Sequence, residues 1–263
     1  MAERAASGDP YSLRWCGRDA PAVVLQTEYD VDPPLYVGFE PSVLRTYAGA
    51  LARCWSLLGV TKGDRIAVFD YGTSPLSYLA SSLFTPYLGR GAAEILGCLP
   101  ICNDGTANMA PRAVEILRFV RPRVMFVRPE CLHPLATEIS RKRLSYADCS
   151  SALVVAQNEE ILSREDQAGY EDIFGVPVYR LLRIDIAMFL AVECPHCRLL
   201  HSPHDLYFLE NGGEPSGNFR KDPLLVTNWF ARSLPTLRYL SRARGTVVSS
   251  GCPLRPRDQR IAA

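Results

Sequence analysis

Residues 192–204, reading V-E-C-P-H-C-R-L-L-H-S-P-H, hold three of the four histidines and two of the nine cysteines. Cys194 and Cys197 form a C-x-x-C, the spacing at which two thiolates of one tight turn face the same Zn²⁺; His201 and His204 follow within ligand reach. A four-ligand site could close as Cys194, Cys197, His201 and His204, or a distant residue could replace one of them. Cys252, in the turn-forming S-S-G-C-P-L, is the best distant candidate. The competing reading is a redox-silent pair in a surface turn. Four protein ligands leave no open position, and only Glu193 and Asp205 stand near as acids, so the expected role of a metal is structural.

Other residues suited to chemistry are sparse. Asp185 lies in an apolar run, where burial would raise its pKa and suit it to proton transfer unless Arg183 or Arg238 pairs with it. Tyr71, Gly72, Thr73 and Ser74, and the loop 103–108 beginning at Asn103, fall between a strand and a helix, where open α/β sheets place ligands. Their Gly, Ser and Thr content equally fits ordinary turns. His133 reads as a helix-start residue. The sequence has no G-x-S-x-G and no convincing Ser-His-Asp set, so acid–base work would fall to carboxylates or tyrosines.

The elements that must position these residues alternate in type. Leu44, Tyr47, Leu51, Cys54, Trp55 and Leu58 recur every three or four residues, predicting a helix from Pro41 that Gly59 ends. A strand over 65–70, a helix from Gly72 to about Leu88, a helix over 91–96 and a strand over 98–102 follow. Helices over 111–120, 132–139 and 165–174 then alternate with strands over 123–127, 152–156 and 176–182. Such alternation predicts an α/β fold, a largely parallel sheet with helices on both faces. After Leu182 come short strand candidates at 206–209, 224–227, 237–240 and 246–249, which predict a β-rich lobe. The expected organisation is an N-terminal arm over 1–35, an α/β core over 36–185 and a β-rich lobe with the metal candidate over 186–263.

With 263 residues, 48% of them hydrophobic, the chain can bury a substantial core. A net charge of +1 excludes an electrostatic case for nucleic acid or an anionic membrane surface. The start has no apolar signal region and no run is long enough to span a bilayer, so a cytoplasmic, reduced protein with free thiols is expected.

Several segments, taken in order, resemble the phenylacetate-CoA ligase branch of the adenylate-forming superfamily: G-V-T-K-G-D-R (59–65), G-A-A-E-I-L-G-C-L-P-I (91–101), R-P-R-V-M-F-V-R-P (121–129), F-G-V-P-V-Y (174–179), V-E-C with His201 seven residues on, and T-N-W-F-A-R-S-L-P-T-L-R-Y (227–239) followed by G-C-P. The resemblance implies the N-terminal domain of that superfamily. It also implies a structural zinc on Cys194, His201 and Cys252; Leu254 replaces the family's second cysteine of that turn, so Cys197 would supply the missing thiolate, leaving His196 and His204 outside. By the same resemblance Glu159 in Q-N-E-E approximates a family G-x-E near acid and nucleotide, although an exposed carboxylate at a helix start is the commoner explanation for such a residue. Arg238 matches the family's R-Y arginine.

The departures from the family concern the nucleotide. Its phosphate loop should stand at 27–34, which here reads T-E-Y-D-V-D-P-P, without glycine and with Glu28, Asp30 and Asp32. Carboxylates there would repel a triphosphate by about 1 kcal/mol per close pair even in bulk water. The family's Y-G-x-T-E aligns with L-L-R-I-D-I (181–186), so that Arg183 stands for its glycine and Ile186 for its glutamate; Ala243 stands for its ribose-binding aspartate. The C-terminal domain is not expected within 263 residues. The resulting expectation is a pseudo-ligase that no longer adenylates and needs no ATP. It would act on or bind an aryl or acyl acid or thioester, CoA- or carrier-bound, in a biosynthetic pathway such as one making natural products, as an ATP-independent enzyme or an accessory subunit of a partner enzyme. The catalytic candidates are Glu159, Asp185 and Arg238, and a homodimer is expected. The alternative is an ATP-dependent aryl/acyl-CoA ligase completed by a partner chain.

Overall fold

The protein is described by a computed structural model covering residues 16–17, 20–28, 35–83, 89–213, 222–248 and 251–263. Asp30 and Asp32, at the expected phosphate-loop position, lie outside the described residues. In chain order the strand β1 (Val23–Glu28) pairs antiparallel with β2 (Leu35–Phe39) as a separate ribbon. The helix α1 (Pro41–Leu57) follows, with proline in its first turn and Leu44, Tyr47, Leu51, Cys54 and Trp55 all buried on the face that the periodicity predicts. Gly59 ends it in the left-handed region, at φ +80.

Next come β3 (Arg65–Phe69), α2 (Pro75–Ala80), α3 (Ala92–Leu96), β4 (Leu99–Asn103), α4 (Ala110–Val120), β5 (Val124–Val127), α5 (Pro129–Arg141), β6 (Ala152–Asn158), α6 (Arg164–Phe174) and β7 (Val178–Ile184). The helix expected from Gly72 to Leu88 is much shorter. Ser74 caps it by accepting from Ser77 N, but Ser81 is already extended, because the Glu94 carboxylate accepts from the Ser81 hydroxyl, Ser82 N and Gly91 N and draws the chain away.

The last third holds β8 (Phe189–Glu193), β9 (Leu200–Ser202), β10 (Tyr207–Asn211), β11 (Asp222–Asn228), β12 (Thr236–Val248) and β13 (Gln259–Ala262). The two short strands expected over 237–240 and 246–249 are one strand. Ser241, Ala243 and Gly245 are its buried face, small residues that alternate with exposed Leu240, Arg242 and Arg244. Gly245 has no room for a side chain, since a Cβ there would lie 2.5 Å from Ile261 Cγ2.

Eleven strands form one sheet in the order β10-β11-β12-β13-β9-β8-β7-β6-β5-β3-β4. From β7 to β4 the pairing is parallel; from β7 to β10 every pair is antiparallel. Hydrogen bonds between β7 and β8 carry the sheet continuously from the parallel part into the β-rich part. Period-two alternation sorts the core: Ile66, Val68 and Phe126 pack with α1, while Ala67, Phe69 and Val127 pack with α4 and α5 on the opposite face. No helix of the described residues is long and apolar enough to cross a membrane.

Candidate functional site

Two constellations stand out. The first is a cluster of Cys194, Cys197, His201 and Cys252, whose ligand atoms all lie within 4.8 Å of one another. Cys194 and Cys197 sit in the turn after β8, closed by Arg198 N donating to Cys194 O at 2.9 Å, with Arg198 left-handed at φ 57. His201 lies on β9, opposite Val192 and Arg260. Cys252 opens the turn that leads to β13.

The donor set fits a tetrahedral zinc. Bonds of about 2.3 Å to sulfur imply sulfur–sulfur edges of about 3.8 Å, and Cys194 Sγ lies 3.9 Å from Cys252 Sγ. Cys197 Sγ is 3.2 Å from His201 Nε2. The other ring nitrogen of His201, Nδ1, faces Asp258 Oδ2 at 3.6 Å, the outward carboxylate that orients metal-bound imidazoles. Burial pushes the Cys197 thiol up to about 11. At Cys252 burial is outweighed by hydrogen bonds from the backbone N–H of Leu254, the Cys197 thiol and the backbone N–H of Arg255, which lower its pKa. His196 is exposed, and His204 turns outward beside Asp258, so Cys252 rather than His204 completes the cluster.

The second constellation lines the carboxyl ends of the parallel strands. Asp70 follows β3, Asn103 ends β4, Arg128 follows β5, Asn158 ends β6, and Arg183 and Asp185 flank the end of β7. Asp70 is 1% exposed; it accepts from Arg183 Nη1 at 2.6 Å and from its neighbour Tyr71 N at 2.8 Å. Arg183 Nε lies 3.6 Å from Asp185 Oδ1, and Asp185 N donates to Asn158 Oδ1 at 3.0 Å. The carboxylates and nearby tyrosines outweigh the effect of burial and raise the Arg183 pKa, so this guanidinium is a permanent internal cation. Arg128 stacks over the Tyr71 ring at 3.6 Å. Of the buried polar atoms here, Tyr47 Oη, Asn103 Nδ2, Arg128 Nη1 and Arg183 Nε have no hydrogen-bond partner among the described residues. Burial, then the charge of Asp185, pushes the Tyr47 hydroxyl well above its ordinary pKa, so it stays protonated.

Glu159 corrects the exposed helix-start explanation. It is 2% exposed, precedes α6 by several residues, and holds a left-handed φ of 54. Its carboxylate accepts from Tyr239 Oη at 2.6 Å and Arg242 N at 3.0 Å, and its own N–H donates to Arg183 O at 2.8 Å. It therefore ties β12 to the ends of β6 and β7.

No protein-family model matches the sequence. Phenylacetate-coenzyme A ligase of Pseudomonas putida is 27% identical over 219 residues, 80% of this chain and 47% of that protein. The chain is a homologue of phenylacetate-coenzyme A ligase. It spans about half the length of that curated relative. Among solved structures, 2-hydroxyisobutyryl-CoA ligase with 2-HIB-AMP and CoA superposes with a TM-score of 0.78 at 18% identity, over 98% of this chain and 60% of that one. A malonyl-CoA ligase with methylmalonyl-CoA and AMP superposes at 0.54 with 17% identity, over 92% and 52%. The fold is thus that of the adenylate-forming CoA ligases.

On this ligase fold the structure gathers Glu159, Asp185, Tyr71 and Asn103 at the strand ends. Gly72 and Thr73 are exposed in the loop before α2, and Ser74 serves as its cap. Arg238 is elsewhere: its side chain is 67% exposed and pairs with Glu210 at 3.2 Å. Sequence reasoning passed over Asp70, Arg128 and Tyr47. Asp70 and Arg128 each stand where an apolar strand gives way to a turn or helix, a position that reads as an ordinary boundary, and Tyr47 reads as core.

Proposed function

We propose that this CoA-ligase homologue binds an acyl or aryl acid, or its CoA or carrier-protein thioester, at the strand carboxyl ends without adenylating it. The observation that carries the reading is Arg183. Its buried guanidinium, hydrogen-bonded to Asp70 and ion-paired with Asp185, occupies the strand-end position that the resemblance gives to a glycine, where only a small residue lets a nucleotide approach the backbone. The unsatisfied donors Asn103 Nδ2 and Arg128 Nη1 suit the carbonyl or carboxylate oxygens of such a ligand. Glu159 and Asp185 are the carboxylates placed to move a proton; Arg238 is set aside as a surface ion pair. Zinc on Cys194, Cys197, His201 and Cys252 would hold the β8–β9 turn to the turn before β13.

Mg-ATP and AMP are expected neither to bind in calorimetry nor to raise the melting temperature. A nucleotide at about 100 times its Kd would add about 2.7 kcal/mol, a shift of roughly 5–10 °C for a domain of this size. Such a shift would sink the reading. It would favour the second one, an ATP-dependent ligase completed by a partner chain, whose support is the half-length match to the relative.

Self-association belongs to the same reading. Phe208, Trp229, Leu237 and Leu240 are large apolar side chains exposed around β10 and β12. Light scattering is expected to report twice the 29.2 kDa chain mass; a monomer at working concentration removes this part.

A further inference from the structure

A cleft of about 540 Å³ opens beside the thiol–imidazole cluster, between α1 and the turn at 252–258, and shares no lining residue with the strand-end network. Its charges are unevenly matched. Arg53 is neutralised by Asp205 through two hydrogen bonds of 2.5 and 2.9 Å, and Asp258 faces His201 and His204 at 3.6 and 3.7 Å. Arg255 and Arg257 remain. Among the described residues neither reaches a carboxylate within ion-pair distance, and the Arg255 guanidinium donates only to Ser56 Oγ, at 3.4 Å.

The two guanidinium groups are carried on a short, stiff turn. Arg255 N donates to Cys252 O at 3.2 Å and Asp258 N to Arg255 O at 3.3 Å, while Pro253 and Pro256 fix φ at the intervening positions. Leu57 and Leu254 give the same cleft an apolar wall, and Leu254 is 53% exposed to it and to solvent. With Arg53 matched to Asp205, the two remaining guanidinium groups outnumber the one remaining carboxylate, Asp258, so the cleft favours an anion, and the planar guanidinium fork matches the oxygens of a phosphate. A phosphate offers three oxygens to the two forks where a carboxylate offers two.

We propose that this cleft binds an alkyl or aryl phosphate monoester, its dianionic head on Arg255 and Arg257 and its apolar body against Leu57 and Leu254. The probe is phenyl phosphate titrated into the full chain by calorimetry, with inorganic phosphate and benzoate as comparisons. The expected result is saturable binding of phenyl phosphate with a Kd below about 1 mM, at least tenfold tighter than either comparison. Arg257→Gln, at an exposed position that leaves the core untouched, should weaken it about tenfold, and the double variant Arg255→Gln/Arg257→Gln should abolish it. No saturation by wild type, unchanged affinity in folded Arg257→Gln, or equal affinity for inorganic phosphate would each overturn the proposal.

Discussion

Truncation of Asp70 to Ala is expected to lower stability by about 3–5 kcal/mol, the range for removing one partner of a buried ion pair. Asp70 is 1% exposed and Arg183 7% exposed, and they meet at 2.6 Å. Without the carboxylate, the Arg183 charge is left with Asp185 at 3.6 Å as its remaining described ion-pair partner, at a position where both side chains are largely buried. Arg183→Met in the same background removes the stranded charge. The double variant should recover only part of the loss, since exchanging a buried pair for apolar volume is often nearly neutral but here leaves the Asp185 carboxylate without Arg183. Urea denaturation of the two single variants and the double gives the coupling directly. A loss below about 1 kcal/mol in Asp70→Ala would show that solvent, not Asp70, balances Arg183, and the argument for an internal cation at the strand end would fail with it.

Metal loss should be comparably large. Protein purified without added zinc is expected to carry about one zinc per chain, and Cys194→Ser to carry almost none. Apparent binding energies of structural zinc reach about 10–16 kcal/mol in small fingers. Here the cluster joins elements that the sheet already pairs, β9 with β8 and β13, so only part of that energy is the fold's to lose. A loss of about 3 kcal/mol or more is expected, seen as a fall in melting temperature of roughly 6–12 °C on chelation. Cys16→Ser, at an exposed position outside the cluster, should leave metal content unchanged. Metal well below one per chain in the wild type, or full metal in Cys194→Ser, would remove zinc from the account.

Both predictions concern contacts of very different legibility. The cluster was readable because its ligands come in short, typed spacings: Cys194, Cys197 and His201 lie within eight residues, and Cys252 sits in a Gly-Pro turn. The pairing of Asp70 with Arg183 spans 113 residues and has no spacing signature. Glu159 shows the same limit. Its sequence neighbourhood, polar and close to a helix, suggests exposure, and only the arrival of Tyr239 and Arg242 from β12 buries it.

Local chemistry was sufficient for α1, for the alternation of strands and helices through β7, and for Cys194, Cys197 and His201 of the thiol–imidazole cluster, because helix period, strand alternation and tight turns involve only neighbouring residues. The tertiary structure decided the rest. Strands β9 and β13 are too short or too polar to announce themselves, β8 is apolar but separated from β7 by only a short turn, and β12 is interrupted by small residues; each exists because an adjacent strand accepts its hydrogen bonds. Register likewise fixed which charges meet at the strand ends, since those partners are brought together by sheet pairing across the chain and not by their distance along it.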